Sequence, residues 1–105
     1  MRKYLLHVLI ISFVFLLAPT AHVVSYAGAI EDAKEEVRNN PDDARAHYNL
    51  ACCYSLLGNV NKALESLGRA IDLGFDDIKH IENDSDLDGL RDEADYKKLI
   101  NKLKR

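Results

Sequence analysis

Apolar residues recur at helical spacing through most of this chain, and polar breaks separate the runs. Ile30, Ala33 and Val37 form one stripe, with Glu31, Asp32, Glu35 and Glu36 on its outer side. Acids near a helix start complement its dipole, so this segment reads as a helix over about 29–39. Asn40-Pro41-Asp42 ends it, because proline cannot continue the hydrogen-bond ladder and restricts the residue before it. A second helix, about 43–57, carries Ala44, His47, Leu50, Ala51 and Tyr54 on one face and stops at Gly58. The third, about 60–73, has the clearest period, with Val60, Ala63, Leu64, Leu67, Ala70 and Ile71, and stops at Gly74.

Beyond Phe75 the pattern shortens. Asp76 is placed to cap a short helix bearing Ile78 and Ile81. Asn83 to Asp92 reads as an acidic turn with two inward anchors, Leu87 and Leu90. A last helix over about 93–104, capped by Asp92, turns Tyr96, Leu99, Ile100 and Leu103 inward. No segment alternates with period two for long enough to make a strand. The expected fold is all-α, an antiparallel arrangement of about five helices.

The N-terminus follows a different logic. Arg2 and Lys3 precede an apolar run from Tyr4 to Ala18, and Pro19 ends it; Ser25-Tyr26-Ala27 then offers small residues for cleavage. The run falls short of the roughly 20 residues needed to span a bilayer. Residues 1–27 therefore read as a secretory signal peptide cut after Ala27, or as an uncleaved N-terminal anchor through residues 4–18. The protein is expected to be exported, to the periplasm or beyond, and to meet a membrane only if the segment is kept.

The hairpin at 44–75 carries a family pattern. His47, Leu50-Ala51, Tyr54, Ala63 and Leu67 fall at the characteristic positions of a tetratricopeptide repeat, and the segment resembles one. His47 stands where that pattern has tryptophan, Leu50-Ala51 replaces Leu-Gly, and Phe75 replaces the closing proline. Stepping back by the repeat length of about 34 residues places Ala29 under Ala63 and Ala33 under Leu67. The resemblance implies a half repeat over 28–40, a full repeat over 42–75 and a terminal cap over 76–105. That last part is similar to the module that ends many such arrays, through Ala70 to Asp77, Asn83 to Asp92 and Tyr96 to Leu99.

Charge and cysteines narrow the function. After Ala27 the chain holds 12 basic and 17 acidic residues, a net charge of −5. Nucleic-acid backbones call for clustered cations, so no nucleic-acid partner is expected. Cys52 and Cys53 are adjacent on a helix, and their Cα atoms, about 3.8 Å apart, are too close for an ordinary disulfide. Both are expected to be free thiols.

Asp84-Ser-Asp86-Leu-Asp88-Gly89 opens like a calcium loop. Asp84, Asp86, Asp88 and Asp95 are its candidate ligands, yet Asp95 stands where the bidentate glutamate belongs and Arg91 where an apolar residue belongs. No catalytic constellation, phosphate loop or cofactor signature is evident, and the chain does not read as an enzyme.

The resemblance implies a protein-binding adaptor or scaffold. Its groove would be lined by the first helix of the repeat, at Arg45, Tyr48, Cys52 and Ser55. Tyr48 and Cys52 stand where family members that clamp a terminal carboxylate have lysine and asparagine, so such a ligand is not implied. The alternatives are a unit that associates with copies of itself, and a calcium-responsive module built on the Asp84–Asp88 loop.

Overall fold

The computed structural model describes residues 26–105. The apolar run 4–18 and most of the expected leader lie outside the described residues. Helix α1 covers 26–39. It is followed by α2 (Ala44–Leu56), α3 (Val60–Asp72), α4 (Ile78–Asn83), a 3-10 helix (Ser85–Leu90) and α5 (Ala94–Leu103). Among the described residues there is no strand, and no helix is long and apolar enough to cross a membrane. The all-α expectation holds.

Helices α2 and α3 pair as an antiparallel hairpin. Ala51, Ala63, Leu67 and Ala70 are fully buried between them and the elements alongside. Three of these four are alanines, so the backbones approach closely while Leu67 fills the remaining volume. Both helices end in the same way. The Gly58 N–H donates to Ser55 O at 3.0 Å and the Asn59 N–H to Tyr54 O at 2.9 Å. The Gly74 N–H donates to Ile71 O at 3.0 Å and the Phe75 N–H to Ala70 O at 2.9 Å. This doubly bonded stop needs a positive φ at the glycine, which is +78° at Gly58 and +107° at Gly74.

The hairpin is flanked on two sides. Ile30 and Ala33 of α1, with half-buried Val37, pack on Leu50, Cys53 and Tyr54. The outer side of α1 is polar, with Glu31, Asp32, Glu35, Glu36 and Arg38 exposed. On the other side, Ile81, Leu87 and Leu90 are wholly buried, and Tyr96 and Ile100 of α5 complete that core. The two inward anchors read from the acidic turn are thus where the sequence put them.

Two caps are displaced by one residue from expectation. Asp77, not Asp76, opens α4, its carboxylate accepting from the His80 N–H at 3.0 Å. Glu93, not Asp92, precedes α5, and its side chain makes no capping bond. Neighbouring acids are equivalent in sequence, and the residue whose backbone is not helical takes the cap. Asp43 and Asn59 cap α2 and α3 through the Arg45 and Lys62 N–H groups.

Candidate partner-binding surface

Four side chains on α2 were singled out by sequence, and the fold divides them. Arg45 is exposed, and its guanidinium makes no ion pair among the described residues. Tyr48 is buried, its ring stacked on Phe75 with centroids 4.2 Å apart and planes 5° off parallel. Cys52 is buried, and Ser55 is half-buried beneath the 3-10 helix near Gly89. Arg45 and Tyr48 therefore line open space, while Cys52 and Ser55 face the C-terminal segment.

The contact between α2 and that segment turns on Asp84. Its carboxylate accepts from the Tyr48 hydroxyl at 2.6 Å, from the Asp86 N–H at 3.0 Å and from the Cys52 thiol at 3.7 Å. His80 Nε2 lies 3.6 Å away. Burial alone would raise the Asp84 carboxyl, but the Tyr48 hydroxyl, the Asp86 N–H and His80 together hold it below its ordinary value. Its partners move the other way. Burial, then the Asp84 hydrogen bond, pushes the Tyr48 hydroxyl up. Burial, then the neighbouring Asp84 and Asp86 carboxylates, pushes the Cys52 thiol up to about 12. A thiol held protonated in this way is a poor nucleophile. Cys53 is half-buried and raised for similar reasons, burial first and then Asp86; both cysteines are free.

Arg91 fastens the same segment from the far side. Its guanidinium donates to Asp84 O at 2.7 Å, to the Tyr96 hydroxyl at 2.8 Å and to the Asp88 carboxylate at 2.9 Å. The position where a calcium loop has an apolar residue instead holds a fork of donors, which satisfies the turn's own carbonyl and ties it to α5. Nothing in the local sequence announces this role, since Tyr96 is reached only after the chain has turned.

The acids of the calcium-like loop diverge. Asp88 is bound to Arg91 and Asp95 lies 3.7 Å from Lys98, on α5. Cys52 Sγ and one oxygen each of Asp84 and Asp86 come within 4.8 Å of one another. That trio offers a thiol and two carboxylates, whereas calcium takes about six to eight oxygens. Ser55 Oγ is shielded from water and has no hydrogen-bond partner among the described residues.

Beside the Tyr48–Phe75 stack the surface opens into a shallow depression of about 550 Å³. Arg45 and Asn49 of α2 form one wall, the Gly74–Asp77 link and His80 the other. The ring of His80 stands edge-on, 6.2 Å from Phe75 and 5.4 Å from Tyr48. A second depression of about 540 Å³ lies between α1 and α3, around Val37, His47, Leu50, Tyr54, Leu64 and Arg69.

The tetratricopeptide repeat family model matches residues 44–74, the hairpin just described. Residues 44–74 are a tetratricopeptide repeat. The repeat is a protein-interaction module, with α2 as its first helix and α3 as its second. The chain is 38% identical over 80 residues to a chloroplastic protein of Arabidopsis thaliana, covering 70% of this chain and 24% of that protein. It is 40% identical over 48 residues to the "Hsp70-Hsp90 organizing protein" of Triticum aestivum, 46% of this chain and 8% of that one. The chain thus spans a quarter or less of the curated relatives it matches. No solved structure matches.

Proposed function

We propose that this protein is an exported adaptor that binds a segment of a partner polypeptide through the repeat at residues 44–74. The observation that carries the reading is the depression beside α2. It lies on the first-helix side of the repeat and combines an aromatic floor with polar side chains left without partners. Among the described residues neither Arg45 nor Asn49 spends its side chain on the protein itself. Exposed groups of this kind, beside an apolar surface, are what a partner can use.

The likeness to the Hsp70-Hsp90 organizing protein supports the class of activity, since that name describes a protein that brings others together. The leader-like residues 1–27 support export, and sequencing the N-terminus of the protein from its own cells tests it. A chain beginning at Gly28 is expected; one beginning at Met1 would favour the anchor instead.

The test of binding is capture from the protein's own source, followed by titration of the recovered polypeptide against purified variants. Arg45→Ala with Asn49→Ala should weaken the complex severalfold and leave the melting temperature within a degree or two, as expected of exposed positions. Tyr48→Ala is unsuitable, because that side chain is part of the core. Failure of any polypeptide to bind the purified protein, or full affinity in the double variant, would sink the proposal.

A further inference from the structure

The depression on the first-helix side is not electrically neutral, and its two walls differ. The link between α3 and α4 carries Asp76 and Asp77, both exposed. Neither forms an ion pair among the described residues. One Asp77 oxygen accepts from the His80 N–H, as the cap of α4, and the other has no partner among the described residues. Opposite stand Arg45 and Asn49. The lining therefore sets two carboxylates against one guanidinium, with the His80 imidazole beside them.

The aromatic floor lies beside the acidic wall. Phe75 directly precedes Asp76, is half-buried, and has one ring face occupied by Tyr48. The doubly bonded helix end at Gly74 fixes where its backbone emerges. An apolar ring next to two carboxylates that form no ion pair among the described residues suits a side chain that is apolar along its stem and cationic at its tip. Lysine and arginine have that build, packing their methylenes on apolar surface while the head group stays at the polar edge. A cation near an aromatic ring gains further attraction when it lies over the ring face. An acidic side chain would find only Arg45, with two like charges facing it.

We propose that this depression receives a lysine or arginine side chain from the partner segment, with Phe75 against its stem and Asp76 and Asp77 against its charge. Arg45 and Asn49 then take a carboxylate or carbonyl of the same segment and set its direction. The assignment rests on the adaptor reading above and adds the chemistry of the ligand to it.

The test uses isotopically labelled full-length protein and three short peptides, acetylated and amidated so that only one side chain differs: Gly-Ser-Lys-Ser-Gly and its Gln and Glu counterparts. The lysine peptide should shift the amide signals of Phe75, Asp76, Asp77 and His80, and the glutamine and glutamate peptides should leave them in place. Asp76→Asn with Asp77→Asn should weaken the lysine peptide by roughly threefold to tenfold, the scale of exposed charge pairs. Asparagine keeps the cap of α4, so the fold survives the change. Added salt should weaken binding in the same direction.

A glutamate peptide that binds in place of the lysine one overturns the assignment, as does a lysine response untouched in the double variant. If the captured partner loses affinity with Arg45→Ala and Asn49→Ala but not with Asp76→Asn and Asp77→Asn, the adaptor reading stands and the cation assignment falls. If no captured polypeptide binds the purified protein, the adaptor reading falls as well.

Discussion

The two flanks of the hairpin are held by different physics. Toward α1 the contact is small and wholly apolar, with Ile30, Ala33 and Leu50 at its centre. Toward the C-terminus the core is larger, and a polar frame overlies it, with Tyr48 on Asp84 and Arg91 on Asp84, Asp88 and Tyr96. An apolar stripe tolerates sliding and exchange of its residues, since burial is non-directional. Hydrogen bonds to a fixed carboxylate and carbonyl do not. The C-terminal side is therefore docked in one register, and the α1 side is merely covered.

The largest way to break this contrast is a cavity on each side. Leu90→Ala removes a fully buried side chain and should cost about 3–5 kcal/mol, while Ile30→Ala at the thinner contact should cost nearer ~2 kcal/mol. Urea unfolding measures both, and equal losses would mean that the flanks are energetically alike.

Arg91→Ala comes next. It takes the guanidinium from the Asp84 carbonyl, which keeps only the Leu87 N–H at 3.1 Å, and it removes the donor to the Tyr96 hydroxyl, a loss of about 2 kcal/mol. Arg91→Lys should recover little, because an ammonium cannot reproduce the fork.

Tyr48→Phe removes one hydrogen bond to a charged acceptor and keeps the stack on Phe75, and should cost about 1–2 kcal/mol. It also carries a pH signature. The Asp84 carboxyl is held below its ordinary value of 3.8, so its ionised form stabilises the fold above that pH. That contribution is lost as pH falls through the lower, folded value. The acid limb of a stability profile should therefore be shallower in Tyr48→Phe than in the parent protein. Identical limbs would show that the Tyr48 bond does not hold Asp84 down.

The smallest effect has the opposite sign from the rest. Ser55 Oγ is buried without a partner among the described residues, and a hydroxyl in that position costs stability. Ser55→Ala should be neutral or stabilising by up to about 1 kcal/mol. A clear loss of stability would mean that this hydroxyl is bonded in solution.

Much of the fold was legible in the sequence, for reasons that are local. The spacing of Val60, Ala63, Leu67 and Ala70 places all four on one face of any helix, whatever lies against it. Gly58 and Gly74 supply the positive φ that a doubly bonded helix end requires. Leu87 and Leu90, two apolar residues in an acidic turn, had no favourable place but inside. The candidate surface was less legible. Arg45, Tyr48, Cys52 and Ser55 share one side of a helix by spacing alone, but spacing does not say which of them another segment will cover. Asp84 lies 36 residues beyond Tyr48, and that separation is bridged only when the chain turns back over α2. Asp76 reads as a simple helix cap for the same reason, and local sequence does not show that it and Asp77 face the depression beside α2.

The sequence by itself determined the elements: a helical hairpin with small residues at its seam, helix stops at two glycines, and apolar anchors after it. Those follow from backbone geometry and the 3.6-residue period, which act within a few residues. The tertiary structure decided which polar groups meet. It buried the Tyr48 hydroxyl on Asp84, tied Asp88 of the acidic loop to Arg91, and left Arg45, Asn49, Asp76 and Asp77 facing open space. Hydrogen bonds and charges are satisfied between segments distant in sequence, so their partners are fixed only once the apolar core has set the segments in place.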